Sequence, residues 1–242
     1  MELDGRVAIV TGGAVRLGKA LGLALAEQGV RLAIHYGSSA DPAEDAVAEI
    51  KAMGSDALAI QADLRVPGQT RSIVERAAAH FGQVDILVNS AAIFEPGNWD
   101  DTTEENWDRH FAINLKSPFF LSQAFATQVG PERVGHIVNI ADWRGFRPGP
   151  DHMAYTLTKA AVIAMTKSMA LALAPNIQVN AIAPGLILPP PGRDQSYLKQ
   201  KAEQIPAERV GSPKEIANTL LYLLHSDFVT GDLIFVTGGE HL

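Results

Sequence analysis

Short apolar runs alternate with longer amphipathic runs along all 242 residues of the chain. Residues 7–10 read as a strand, and 17–28 as a helix stopped by Gly29. A second strand spans 32–36. The next helix, 42–53, has Pro42 at its start and Gly54 past its end, the asymmetry that helix termini favour. Strand 57–61, helix 68–81 and strand 84–89 follow. A helical stretch runs from 103 to about 128, with a bend expected near Pro118, which lacks a backbone donor. Then come strand 136–140, helix 153–174, strand 179–182, helix 213–224 and strand 233–236.

The strands are continuous apolar runs, so both their faces are buried. Regular strand–helix alternation with such strands predicts an α/β fold with a doubly wound parallel sheet. The irregular stretch 184–196 holds four prolines and two glycines. A loop of that size in a compact domain is usually a lid or a mobile segment, and a substrate loop is expected around 184–204. Residues 160–174 are apolar on nearly every face, which asks for two burial partners. One is the sheet. The other is expected to be a second subunit.

The composition narrows the function. The chain carries 20 basic and 27 acidic residues, a net charge of −7, which argues against nucleic-acid or anionic-membrane partners. It has no cysteine, so thiol catalysis and cysteine-bound zinc are excluded, and a reducing compartment suits it. The seven histidines are scattered without metal-site spacing, so no metal is expected. The amino terminus lacks the charge pattern of a targeting signal, and no uninterrupted apolar stretch of membrane-spanning length is expected. The protein is therefore expected in the cytoplasm.

The first strand runs straight into Thr11-Gly12-Gly13-Ala14-Val15-Arg16-Leu17-Gly18, where a helix opens. Glycines at such a turn let the backbone approach a diphosphate, and the helix start offers free N–H groups. A plain glycine turn is the alternative reading, since the spacing is not G-x-G-x-x-G. Asn89-Ser90-Ala91-Ala92, Asn114, Tyr155-x-x-x-Lys159 and Pro184-Gly185 follow in order. On these motifs the chain resembles the short-chain dehydrogenase/reductase family over essentially its whole length.

That resemblance implies a single Rossmann domain over 1–242, a nicotinamide dinucleotide and a homotetramer. It implies cofactor contacts from Gly12, Arg16, Leu17, Gly18, Tyr36, Asp63, Leu64, Asn89, Ser90, Ala91, Pro184 and Gly185. Asp63 is then expected near the adenine and Lys159 on the nicotinamide ribose. Asn114 would organise a water relay to the lysine, though a helix-interior amide bonded to backbone is also a reading of it. The second strand ends His35-Tyr36-Gly37-Ser38-Ser39, without the acid that in an NAD enzyme binds the ribose 2′-hydroxyl and repels a 2′-phosphate. Arg16, Ser38 and Ser39 supply donors to such a phosphate, so NADP(H) is expected. Arg16 also reads as a solvated surface base.

Tyr155 and Lys159, four apart on a helix, share a face. An ammonium beside a phenol favours the phenolate, which lets the tyrosine exchange a proton near neutrality. Thirteen residues before Tyr155, where carbonyl-reducing members of the family usually place a serine, stands Asp142. An ionised carboxylate cannot donate to a ketone oxygen and repels a developing alkoxide. It also opposes the lysine and keeps the phenol protonated. A substrate with N–H groups, or a ring nitrogen needing a proton, suits it better.

Within the family, the chain resembles the pteridine reductases at Arg16, His35-Tyr36, Phe94, Asp142, Tyr155 and Lys159. The resemblance implies that Phe94 stacks on a pterin and that Arg16 helps to hold it. Phe94 also reads as a core aromatic that anchors its loop. The expected activity is NADPH-dependent reduction of a C=N bond in a pterin-like heterocycle. A carbonyl or 3-oxoacyl reductase, and an NADP(H)-binding sensor without turnover, are the alternatives.

Overall fold

The computed structural model describes residues 1–190 and 192–242; Pro191, the last of the proline run, lies outside them. Among the described residues seven strands form one sheet: β1 (Val7–Val10), β2 (Arg31–Tyr36), β3 (Ala57–Gln61), β4 (Ile86–Asn89), β5 (Gly135–Ile140), β6 (Ile177–Pro184) and β7 (Leu233–Val236). Every pairing is parallel, in the order β3-β2-β1-β4-β5-β6-β7. The helices are α1 (Arg16–Ala26), α2 (Ala40–Ala52), α3 (Gln69–Phe81), α4 (Glu104–Phe111), α5 (Ser117–Val129), α6 (Met153–Leu173), α7 (Gln195–Ala202) and α8 (Pro213–His225).

Side chains alternate across each strand, so one sheet feeds two cores. Val7 and Ile9 of β1 pack with Ile73 of α3, Phe125 of α5 and Val162 of α6. Ala8 and Val10 pack on the other face with Leu21 of α1, Val47 of α2 and Leu220 of α8. This is the doubly wound architecture that the uninterrupted apolar strands predict. Chain order reverses between β1 and β4, and the crevice at their carboxyl ends is where such sheets bind ligands.

Three departures from the sequence expectations bear on the site. The stretch 103–128 is not one α-helix. A π-helical turn, Ala112–Lys116, joins α4 to α5, and the Ser117 N–H reaches back to the Ala112 carbonyl. Pro118, in the first turn of α5, has no N–H for the Asn114 carbonyl four residues before it, so regular α-helical bonding cannot run through this point. The second departure is α7, which lies inside the stretch expected as a loop; the Asp194 side chain caps it by accepting from the Ser196 N–H at 3.0 Å. The third is α6, which by length and composition meets the requirement for a membrane span. It packs instead against β6, with Val162 and Met165 in the core.

His136 at the start of β5 is 5% exposed, and burial lowers its pKa to about 4. The unfolded chain binds this proton more readily than the fold does. The stability His136 permits is therefore complete above about pH 6.5 and is lost as the pH falls towards about 4, by about 3 kcal/mol. Replacing His136 with Gln should flatten the fall of Tm across that window, as measured by thermal unfolding at stepped pH.

Candidate active site

The glycine turn after β1 is fixed by bonds from neighbouring strands. The Thr11 hydroxyl accepts from the Ser90 and Ala91 N–H groups at 2.9 and 3.0 Å, which joins the ends of β1 and β4. Gly12, at φ +65, packs so closely that a Cβ there would stand 3.0 Å from the Ala91 Cα. A Cβ on Gly18 would stand 2.2 Å from the Gly12 carbonyl oxygen. Both positions therefore require glycine. Val15 caps α1 without a side-chain bond, so the first-turn N–H groups face the cleft unclaimed by a cap.

His35 of β2 supports this turn from beneath. Its Nδ1 accepts from the Gly12 N–H at 3.3 Å, so Nε2 carries the proton and donates to the Ala62 carbonyl at 3.1 Å. Burial lowers the pKa of the imidazole, which matches the neutral tautomer these two bonds demand.

A cleft of about 660 Å³ opens over the carboxyl ends of the strands. Its wall includes Gly12, Arg16, Leu17, Gly18, Ser38, Ser39, Asp63, Leu64, Ser90, Ala91, Asp142, Tyr155, Lys159, Pro184 and Gly185, all singled out from sequence. Tyr36, Asn89, Phe94 and Asn114 lie outside that wall. The Asn89 amide instead donates to Asn139 Oδ1 at 2.8 Å, tying β4 to β5. The Phe94 ring is stacked on His152, with centroids 4.1 Å apart, and meets Tyr155 edge-on at 4.7 Å. One face of Phe94 is thus covered by His152, a residue distant in sequence.

At the β2 end of the cleft, Arg65 lines the wall with Ser38 and Ser39 and holds Asp63 at 2.7 Å. Hydrogen bonds from Arg65 keep the Asp63 carboxyl below its ordinary pKa. Sequence reasoning missed Arg65, whose one signal is its place two residues past Asp63. Arg16 reaches across the mouth and donates to the Pro189 carbonyl at 2.6 Å, tying the glycine turn to the proline loop.

The chemical end is built by β5, the turn that follows it, and α6. Asp142 caps the short 3₁₀ turn Trp143–Gly145, its Oδ1 accepting from the Arg144 N–H at 2.8 Å. Its Oδ2 accepts from the Tyr155 hydroxyl at 2.7 Å. Lys159 donates to the Ile140 carbonyl at 2.6 Å, with Nζ 5.6 Å from the Tyr155 ring centroid. Burial raises the Asp142 pKa against the pull of these donors. Burial and the Asp142 charge together raise Tyr155 well above its ordinary value, while burial lowers Lys159 to about 8. Burial first, and the Asp142 charge after it, thus favour the protonated phenol, the direction expected from the opposition of Asp142 to the lysine.

Asn114 acts from behind the wall. Its Oδ1 accepts from the Ile93 N–H at 2.9 Å, and its Nδ2 donates to the Ile93 carbonyl at 3.0 Å and to Thr158 Oγ1 at 3.3 Å. It thus pins the loop after β4 to α6. The π-helical turn is what aims it inward, and the regular periodicity of the flanking residues gave no sign of that turn.

Comparison with known proteins agrees with this geometry. A family model described as enoyl-(acyl carrier protein) reductase matches residues 13–241. A 3-oxoacyl-[acyl-carrier-protein] reductase of Staphylococcus epidermidis is 37% identical over 97% of this chain and 98% of its own. A short-chain dehydrogenase/reductase from Serratia marcescens superposes with a TM-score of 0.92 at 31% identity, covering both chains completely. The chain belongs to the short-chain dehydrogenase/reductase family. An alternative dihydrofolate reductase 1 from Brucella canis, solved in complex with NADP, is also similar: TM-score 0.93, 34% identity, 100% of this chain and 96% of that one.

One residue of this short-chain dehydrogenase/reductase that sequence reasoning missed sets the spacing of the candidate catalytic side chains. Gly145 lies so close to α6 that a Cβ would stand 2.6 Å from the Lys159 carbonyl carbon. Only a glycine lets the turn carrying Asp142 rest on the helix carrying Tyr155 and Lys159. Gly145→Ala should destabilise the fold by roughly 1–3 kcal/mol and should lower kcat at least as much as it lowers Tm would suggest, because it separates Asp142 from Tyr155. Thermal unfolding and steady-state kinetics on the purified variant check both.

Proposed function

We propose that this chain is an NADPH-dependent reductase of a C=N bond in a pterin-like heterocycle. The coarser statement, an NADP(H)-dependent oxidoreductase of small molecules, rests on family membership and on related chains solved with NADP. The cleft suits the dinucleotide. Gly12 and Gly18 let the turn pack tightly on its own backbone beside the start of α1, Ser38, Ser39, Arg16 and Arg65 line the cleft, and β2 does not end in the acid that would repel a 2′-phosphate. Lys159 would hold the nicotinamide ribose. Bound there, NADPH supplies the hydride.

The observation that carries the finer reading is the 2.7 Å bond from the Tyr155 hydroxyl to Asp142. A ketone becoming an alkoxide needs donors, and Asp142 as a carboxylate offers none. A C=N group needs something else: hydride at carbon and a proton at nitrogen. Tyr155 holds that proton, and Asp142 accepts an N–H of the same ring edge while keeping the phenol protonated. The name of the Brucella relative, a dihydrofolate reductase, supports a pterin-type substrate. The 3-oxoacyl reductase reading is favoured by the identity to the Staphylococcus enzyme, and the same experiment separates the two.

The apolar trough on α5 and α6, about 1150 Å³ and lined by Phe111, Leu115, Phe119, Phe120, Met165 and Met169, supports assembly of copies of this chain into a homotetramer. We take residues 1–242 as a single functional unit of the cytoplasm.

NADPH consumption is expected with biopterin, dihydrobiopterin or dihydrofolate; no turnover of any of the three overturns the assignment. Asp142→Ser should lower pterin reduction about 100-fold and raise reduction of a 3-oxo ester. A variant that gains nothing on the ester and keeps pterin activity would count against the role of the carboxylate. For the cofactor, Ser38→Asp should shift the ratio of kcat/KM for NADPH over NADH towards NADH by at least about tenfold, read from paired titrations of the two dinucleotides.

A further inference from the structure

The chain turns back after β7 and brings a second acid to the substrate end. Pro184 of β6 is paired with Val236 of β7, and the Gly185 N–H donates to the Val236 carbonyl at 3.0 Å. The following turn is closed by the Glu240 N–H on the Thr237 carbonyl at 3.3 Å and by the Thr237 hydroxyl against His241 Nδ1 at 2.7 Å. His241 is itself stacked on Phe235 at 4.1 Å. This folds Glu240 over Gly185, a residue of the cleft wall. A Cβ on Gly185 would stand 2.7 Å from Glu240 Oε2. The bare glycine is therefore what lets the carboxylate rest against the back of the wall.

Glu240 Oε2 is buried and makes no hydrogen bond among the described residues. A buried acceptor without a donor is costly. Burial and the repulsion of Asp142 raise its pKa to about 7; Arg144 from the 3₁₀ turn, the Leu186 backbone beside the carboxyl and Lys201 from α7 oppose this. Arg144 is already engaged with Asp151 at 2.7 Å. Lys159, which also acts on Asp142, is drawn to the Ile140 carbonyl at 2.6 Å, so Glu240 adds a second carboxyl behind the wall that Asp142 lines.

We propose that Glu240 is a specificity-determining residue that makes the substrate end of the cleft reject carboxylate-bearing molecules and favour uncharged or cationic, N–H-rich ones. Field strength inside a partly desolvated cleft is enough for this, since a like charge near the wall costs far more there than in water. The inference rests on the reading of this cleft as the substrate site, and it deepens the pterin proposal without requiring it. A pterin with a short neutral side chain is favoured over one bearing a glutamate tail. An uncharged 3-oxo ester is likewise favoured over the free 3-oxo acid.

The test uses two pairs of probes on the full chain loaded with NADP(H): dihydrobiopterin against dihydrofolate, and ethyl acetoacetate against acetoacetate. Wild type should favour the uncharged member of each pair that it accepts, and the ratio of kcat/KM should relax as the pH falls below about 7 and Glu240 takes up its proton. Glu240→Gln should improve the anionic member about tenfold relative to the uncharged one and flatten the pH dependence. Glu240→Ala should do the same, which guards against a local folding fault in either variant. Turnover of the ketone pair alone overturns the pterin reading and leaves this one tested. Calorimetric titration of 6-hydroxymethylpterin and pterin-6-carboxylate into the NADP⁺ complex reads the same ratio without turnover. Equal ratios in wild type and both variants, or no binding or turnover of any probe, overturn the proposal.

Discussion

A phenol donates a hydrogen bond to a carboxylate at the wall of the cleft, and the rest of the site is arranged around keeping them together. Tyr155 and Asp142 come from different elements, so their bond joins the turn after β5 to α6. Three backbone facts make that junction possible. Gly145 lets the turn rest on the helix. The Arg144 N–H orients the other carboxylate oxygen. The Ile140 carbonyl draws the Lys159 ammonium to the strand end rather than onto the phenol oxygen. Each group would be costly alone at such a site, and they persist because each satisfies another.

The same logic explains why the glycine turn is held so firmly at the other end of the cleft. Its N–H groups must face outward to serve a phosphate, so they cannot all be used to hold the turn in shape. The Thr11 hydroxyl and the His35 imidazole do that work from below. Neither residue needs to touch a ligand. The arrangement separates the groups that bind from the groups that support.

Much of this was legible in the chain. β1 reads plainly because a strand buried on both faces carries no polar interruption, and β2 and β5 read from their apolar majority in spite of His35, His136 and Asn139. The wall residues from Gly12 to Lys159 followed from the family resemblance that the motifs carry, and the parallel strands deliver their carboxyl ends to one edge. What escaped reading depends on contacts between distant segments. The helical periodicity on both sides of Asn114 hides the π-helical turn, since apolar spacing survives an extra residue in the hydrogen-bonded ring. α7 was hidden by the prolines before it, although Asp194 and Ser196 carry its cap. Phe94 pointed to a stacking platform, but His152, in a left-handed conformation at φ 52, already lies on its face. No local pattern announces such a partner.

α6 carries Tyr155 and Lys159 in its early turns and presents Met165, Met169 and Leu173 to the apolar trough further along. One stiff rod thus mounts the proton donor at one end and offers an adhesive surface at the other. Under the assembly proposed above, whatever settles into the trough also fixes the axis on which the phenol is mounted, and the contact between copies enters the tolerance to which the site is built.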